Sequence, residues 1–220
     1  MHVFEPRYRL MVRHVLDGDR MFGVVGRAEA GFSAVGTLVR IERFEFTRDG
    51  RIFIQVVGLS RFRITQHSLR NGYVEARVKP IYDIGISDEE EREAAETGGS
   101  DGEEADLKRA SSSGCPVSKE EIDRTPTTVI MEHCLAYVRG LQSRGLYFPH
   151  TRFQALLDMC PADPATFPWW FASIMSAEDS WKYQLLSRTS VRERLKFCLE
   201  LVLETESQTW WNPSKFCAIM

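Results

Sequence analysis

Cys217-Ala218-Ile219-Met220 is the run whose residue types and order most directly specify a covalent reaction. A cysteine followed by two aliphatic residues and Met has the form of a C-a-a-X box, in which a farnesyl group is transferred to the thiol. One lipid gives marginal anchoring, so a second signal is needed. Trp210 and Trp211 suit a bilayer interface, whereas Lys215 alone is no polybasic patch. Weak, reversible membrane association through Cys217 is the expectation. His133-Cys134 is the only close pair of soft ligands. Adjacent residues on a helix project in different directions, which predicts a core or boundary role and not metal ligation. Cys115, Cys134, Cys160, Cys198 and Cys217 are odd in number and scattered without a C-x-x-C pair. That pattern predicts free thiols in a reducing, cytoplasmic compartment and no structural zinc. No phosphate-binding G-x-x-x-x-G-K-[ST], no G-x-S-x-G and no H-E-x-x-H occurs. The chain is therefore expected to be no enzyme, with no catalytic residue and no cofactor.

The totals fit a folded protein. A length of 220 residues with 43% hydrophobic content supports one substantial domain or a barrel with a helical companion. The formal charge of -3 gives no global attraction to nucleic acid. No signal peptide opens the chain, and no run of about 18 apolar residues marks a membrane span.

The elements can be taken in order. Glu5-Pro6 reads as a helix start, because Pro is pre-set for a first turn and an anion suits that end of the dipole. Tyr8, Met11, Val12 and Val15 then share one face at helical spacing, with Gly18 as a stop. Met21 to Gly26, Val35 to Thr47, Ile52 to Val57, Arg61 to Gln66 and Tyr73 to Lys79 read as strands, with Asp49-Gly50 and Asn71-Gly72 as turns. Phe62 and Ile64 are expected inward, Arg61 and Arg63 outward. A small, mostly antiparallel β-barrel over 1–83 is predicted. Residues 84–117 are acidic and poor in apolar surface, which predicts a disordered acidic linker. Helical patterns resume over 118–205. Ile130, Cys134, Tyr137, Val138 and Leu141 form one stripe, Trp169, Trp170, Phe171 and Ile174 sit on another helix, and Val191, Leu195, Cys198, Leu199 and Val202 line the last. The fold class is α+β, a barrel followed by a helical bundle, with 206–220 as a tail.

Four stretches in order carry a family resemblance: His2-Val3-Phe4-Glu5-Pro6-Arg7-Tyr8-Arg9; Val35-Gly36-Thr37 with Val39 and Ile41; Gly58-Leu59-Ser60-Arg61-Phe62-Arg63-Ile64; and Ser190-Val191-Arg192-Glu193-Arg194-Leu195-Lys196. The chain resembles the Lon amino-terminal (substrate-binding) domain. Trp169-Trp170-Phe171-Ala172 and Lys182-Tyr183-Gln184-Leu185-Leu186 are most similar to the domain that ends Lon-domain and RING-finger ubiquitin ligases. The resemblance implies a PUA-like barrel and a non-catalytic module that binds protein substrates or unfolded segments. It also implies a further strand ahead of His2, without which an open barrel edge is expected. Phe4, Tyr8, Phe62, Trp169 and Trp170 are the candidate contacts, because large aromatics give contact area at low entropy cost. Arg61 and Arg63 are candidates for acidic groups on a partner. The competing expectation is that most of these aromatics are core. Two other roles are carried alongside: substrate recognition within a ubiquitin-ligase system, and, from a different class, an RNA-binding PUA-like barrel.

Overall fold

A computed structural model describes residues 1–28, 31–98, 119–143, 150–175 and 177–211. The chain divides into two compact units, one of Met1–Tyr82 with Glu178–Ser187, the other of Asp83–Ala177 with Arg188–Met220.

The first unit is built on a sheet. Its elements are β1 (His2–Val3), α1 (Pro6–Leu16), β2 (Met21–Ala28), β3 (Gly31–Phe46), β4 (Ile52–Arg70) and β5 (Tyr73–Ile81). The strands pair antiparallel in the order β1-β4-β3-β2, and β5 also pairs with β4. The expected barrel is not closed. One side of the described sheet ends at β2, while β1 and β5 share the opposite edge of β4 at different heights. The two runs expected as separate strands, 52–57 and 61–66, are one 19-residue strand. Register shifts opposite Leu38/Val39 and at Ile64/Gln66 absorb the irregularities that look like breaks in the sequence.

Helix α1 buries Val12 completely against Val3, Ile41, Ile52 and Ile54, with Met11, Val15, Leu16, Phe22 and Val56 at the margin. Pro6 stands in its first turn as expected, and its amide is one of the donors a helix start leaves unpaired anyway. Arg9 on α1 donates to the Gly50 carbonyl at 3.0 Å, and His14 Nδ1 lies 3.1 Å from the Tyr73 hydroxyl. The helix therefore touches both hairpin turns of β4.

The second unit is helical. It holds α2 (Ile86–Thr97), α3 (Lys119–Arg124), α4 (Thr127–Ser143), α5 (His150–Asp158), α6 (Phe167–Ile174) and α8 (Val191–Trp211), while α7 (Asp179–Ser187) belongs to the sheet unit. The stripe of Ile130, Cys134, Tyr137, Val138 and Leu141 on α4 is buried, as are Leu195, Cys198, Leu199 and Val202 on α8. Pro126 separates α3 from α4, because proline cannot supply the amide a continuous helix would need.

Residues 86–97 correct the linker expectation, since they form α2. No residue of α2 is buried, and Gly98 closes the helix at φ 88°. What holds α2 is charge. Glu89, Glu93 and Glu96 recur at the i, i+4, i+7 spacing of one face; Glu89 accepts from the amides that open α8, and Glu93 and Glu96 meet the cations of α8. The remainder of the expected linker, 99–117, lies outside the described residues.

Candidate docking surface of the sheet unit

Beyond residue 63, where pairing with β3 ends, the sheet runs out into a two-stranded ribbon of β4 and β5, turned by Asn71 (φ 52°) and Gly72 (φ 81°). Residues directly opposite each other on an antiparallel pair share a face. The register pairs Ile64 with Val78, His67 with Ala76 and Leu69 with Val74, so one face of the ribbon is apolar. That face is uncovered: Leu69 is 75% exposed, Val78 46% and Val74 44%. The edge of the Phe32 ring meets His67 at its inner end.

The opposite face is cationic. It pairs Arg61 with Ile81, Arg63 with Lys79, Gln66 with Arg77, Ser68 with Glu75 and Arg70 with Tyr73. Glu75 is its sole acid, and Arg70 reaches it at 3.5 Å. Arg63, Arg77 and Lys79 are exposed. Setting like charges directly opposite, as Arg63 and Lys79 are, destabilises a strand pair by a few tenths of a kcal/mol, roughly. Composition extends the asymmetry to the whole unit. The sheet unit holds 15 Lys and Arg against 10 Asp and Glu, and the helical unit 13 against 21, so the net -3 divides into +5 and -8.

The candidate residues fall into two groups. Phe4 is 61% exposed, beside the His2 ring at 5.8 Å, and His2 in turn stacks on Phe53 at 4.6 Å. Tyr8 is exposed too, with the Arg7 guanidinium 4.6 Å from its ring centre. These two and Arg63 are available to a partner. Phe62 is not, at 5% exposure. Its ring fills the space over Gly23 and Gly36, where an added Cβ would stand 2.8 and 2.6 Å from the ring. Arg61 turns inward within the unit and donates to the Leu186 carbonyl of α7 at 3.0 Å. Trp169 and Trp170 are half-buried structural residues of the helical unit. The indole N–H of Trp170 donates to the Leu156 carbonyl at 2.8 Å, and Trp169 lies under the Arg194 guanidinium at 4.9 Å. Cys217 lies outside the described residues.

The exposed ribbon residues Leu69, Val74, Val78, Arg77 and Lys79 are not among the candidates that the sequence offers. Alternation was visible in the sequence, but the two-fold period says which residues share a face and not which face is covered.

The helical unit places its polar groups differently. Arg194 is fully buried and forms two bonds to the Asp83 carboxylate, at 2.6 and 2.7 Å, with a third to the Arg188 carbonyl. Glu89 accepts from the backbone amides of Val191 and Arg192 and from the Ser190 hydroxyl, so a side chain of α2 caps α8. Arg192 and Lys196, both nearly inaccessible, meet Glu96, and Lys196 also meets Asp123. Burial works to raise the pKa of Glu96, but the hydrogen bonds from Lys196 and Arg192 outweigh it and hold the carboxyl below its usual range. Burial pulls Lys196 down, and its bonds to Glu96 and Asp123 leave it above the usual lysine value. These are structural ion pairs within the helical unit, although the buried Nε of Arg194 has no hydrogen-bond partner among the described residues. Among the described residues no group of three His, Cys, Asp or Glu could hold a metal ion, and no helix is long and apolar enough to cross a membrane. Cys134 and Cys198 are buried thiols, and burial raises the pKa of Cys198, so it is a poor nucleophile.

Comparison with known proteins adds the following. The family model described as the ATP-dependent protease La (LON) substrate-binding domain matches residues 1–204. A crystal structure of a Lon N-terminal domain protein from Xanthomonas campestris superposes with a TM-score of 0.54 at 24% identity, over 91% of this chain and 86% of that one. The N-terminal domain of a Mycobacterium avium complex Lon protease does so with a TM-score of 0.56 at 15% identity, over 92% and 89%.

Proposed function

The chain belongs to the family of Lon substrate-binding domains, and from that premise we propose that its sheet unit engages polypeptide substrates through the uncovered face of the β4–β5 ribbon. The observation that carries this reading is the set of cross-strand pairs Ile64/Val78, His67/Ala76 and Leu69/Val74, three rungs of largely apolar surface in which every residue but the half-buried Ile64 is exposed. Apolar area removed from water contributes roughly 25 cal/mol per Å², so exposed aliphatic rungs are a source of affinity for an unfolded segment. Phe4, Tyr8 and Arg63 are the other candidate contacts that stand exposed, with Arg63 on the opposite, cationic face of the same ribbon. The module binds and does not transform. Among the described residues its densest clusters of ionisable side chains are bonded to one another within the helical unit.

Two narrower readings accompany it as proposals. Substrate recognition within a ubiquitin-ligase system requires a RING supplied by another segment or partner, and co-purification with ligase activity is its test. Farnesylation of Cys217 would add weak membrane association, read by isoprenoid labelling of the wild type against Cys217→Ser.

The central test places a photo-crosslinking amino acid at Leu69 and, as control, at Glu132 on α4 of the helical unit. An unfolded, alkylated polypeptide is expected to crosslink from position 69 and not from 132. Equal or absent crosslinking from 69 would overturn the assignment of the ribbon.

A further inference from the structure

We infer that the partner adds to the open edge of β5 as a β-strand in which apolar and acidic residues alternate. The inference rests on the ribbon as docking surface and names the substrate class it takes. Among the described residues β5 pairs only with β4, so its outer edge carries backbone donors and acceptors with no strand beside them. Its backbone makes no other hydrogen bond to the described main chain. Pro80 limits the usable edge to the stretch that starts at Tyr73 and ends at Lys79.

Side-chain alternation fixes the partner's composition. Val74, Ala76 and Val78 point to the uncovered apolar face, and Glu75, Arg77 and Lys79 to the opposite one. A strand laid along this edge repeats the period of two, so its residues fall opposite these two sets by turns. Apolar residues at every second position extend the rungs already formed by Ile64/Val78 and Leu69/Val74. The intervening positions then stand beside Arg77 and Lys79, with Arg63 one strand further in. Carboxylates there relieve the unfavourable juxtaposition of Arg63 and Lys79 and satisfy a unit whose net charge is +5. A second copy laying its own β5 alongside in parallel register would bring Arg77 and Lys79 against the same pair, and like charges across a strand pair are destabilising. The cationic residues thus disfavour that self-pairing while admitting an acidic strand. Main-chain bonds supply affinity in this mode, and the alternate side chains supply choice.

Fluorescence anisotropy on the full chain tests it, with four labelled nine-residue peptides: alternating Val and Glu, alternating Val and Lys, a blocked sequence of the Val/Glu composition, and Val/Glu with N-methyl amides at alternate positions. The Val/Glu peptide is expected to bind at least tenfold tighter than the other three, with affinity falling as salt rises. Arg77→Glu with Lys79→Glu is expected to reverse the preference toward Val/Lys. Equal binding of Val/Glu and Val/Lys overturns the acidic specificity, and equal binding of the blocked or N-methylated peptide overturns strand addition. Displacement of Val/Glu by single-stranded poly-uridine at lower concentration assigns the surface to nucleic acid and overturns the proposal. An unfolded, alkylated polypeptide that still crosslinks from position 69 while no peptide discriminates sinks this inference alone; loss of that crosslink sinks the proposed function beneath it.

Discussion

Phe62 shows how far a single residue can be placed from sequence. Its alternation with Ile64 correctly sets it inward, yet its aromatic bulk also made it a candidate contact. What removes it from the surface is the pair of glycines across the sheet, Gly23 and Gly36, whose missing side chains make room for the ring. Nothing in the local sequence of Phe62 announces partners about 26 and 39 positions earlier. Gly36→Ala would drive a Cβ to 2.6 Å from both the Phe62 ring and the Val24 carbonyl, an overpacking expected to cost about 1–3 kcal/mol. Chemical denaturation reads it, and Phe62→Leu in the same chain should recover only part, because the Val24 clash remains. Arg194 supports a second expectation. Asp83→Ala leaves a fully buried guanidinium without its carboxylate, and breaking a buried pair from one side costs about 3–5 kcal/mol. Water reaches Asp83 itself, so the lower part of that range is expected, measured as a fall in urea midpoint at unchanged slope.

At the scale of elements, legibility follows the kind of force that holds each one. Helices α4 and α8 were readable because apolar stripes drive them together, and strand β3 because its Asp49-Gly50 turn is local chemistry. Helix α2 was unreadable because its stabilising partners lie about 100 residues away. Its acidic run looks like a solvated spacer until Arg192, Lys196 and the amides opening α8 are set against it. The pH dependence follows from that arrangement. The folded pKa of Glu96 is lowered, so its contribution is present above the unfolded carboxylate value and is lost as pH falls through the folded one. The folded pKa of Lys196 is raised, so its contribution is full below the unfolded lysine value and is lost as pH climbs through the folded one. The helical unit should therefore be most stable between about pH 5 and pH 10 and weaken on both sides, as thermal melts carried below and above that range would show. Glu89→Gln should remove about 1–2 kcal/mol through the α8 cap, read as a fall in urea midpoint.

For the molecule as a whole, the net charge of -3 concealed two units of opposite sign. A sum over the chain has no spatial content, and the division became visible only with the boundary at Tyr82 and the return of α7. The functional expectation changes with it: attraction of acidic partners belongs to the sheet unit, whatever the total. Binding of any such partner should weaken with ionic strength, by roughly tenfold for each 1.4 kcal/mol of screened attraction, in a titration between low and high salt.

The return of α7 has another consequence, for biosynthesis. Tyr183 packs against Gly26, and Arg61 holds the Leu186 carbonyl across 125 positions of sequence. A ribosome that has delivered the chain as far as residue 150 has delivered every described strand of the sheet unit but not the helix that finishes it. Until residue 187 emerges, Gly26 lacks Tyr183 and Arg61 lacks the Leu186 carbonyl, so the sheet unit cannot reach its final form while synthesis is still within the helical unit.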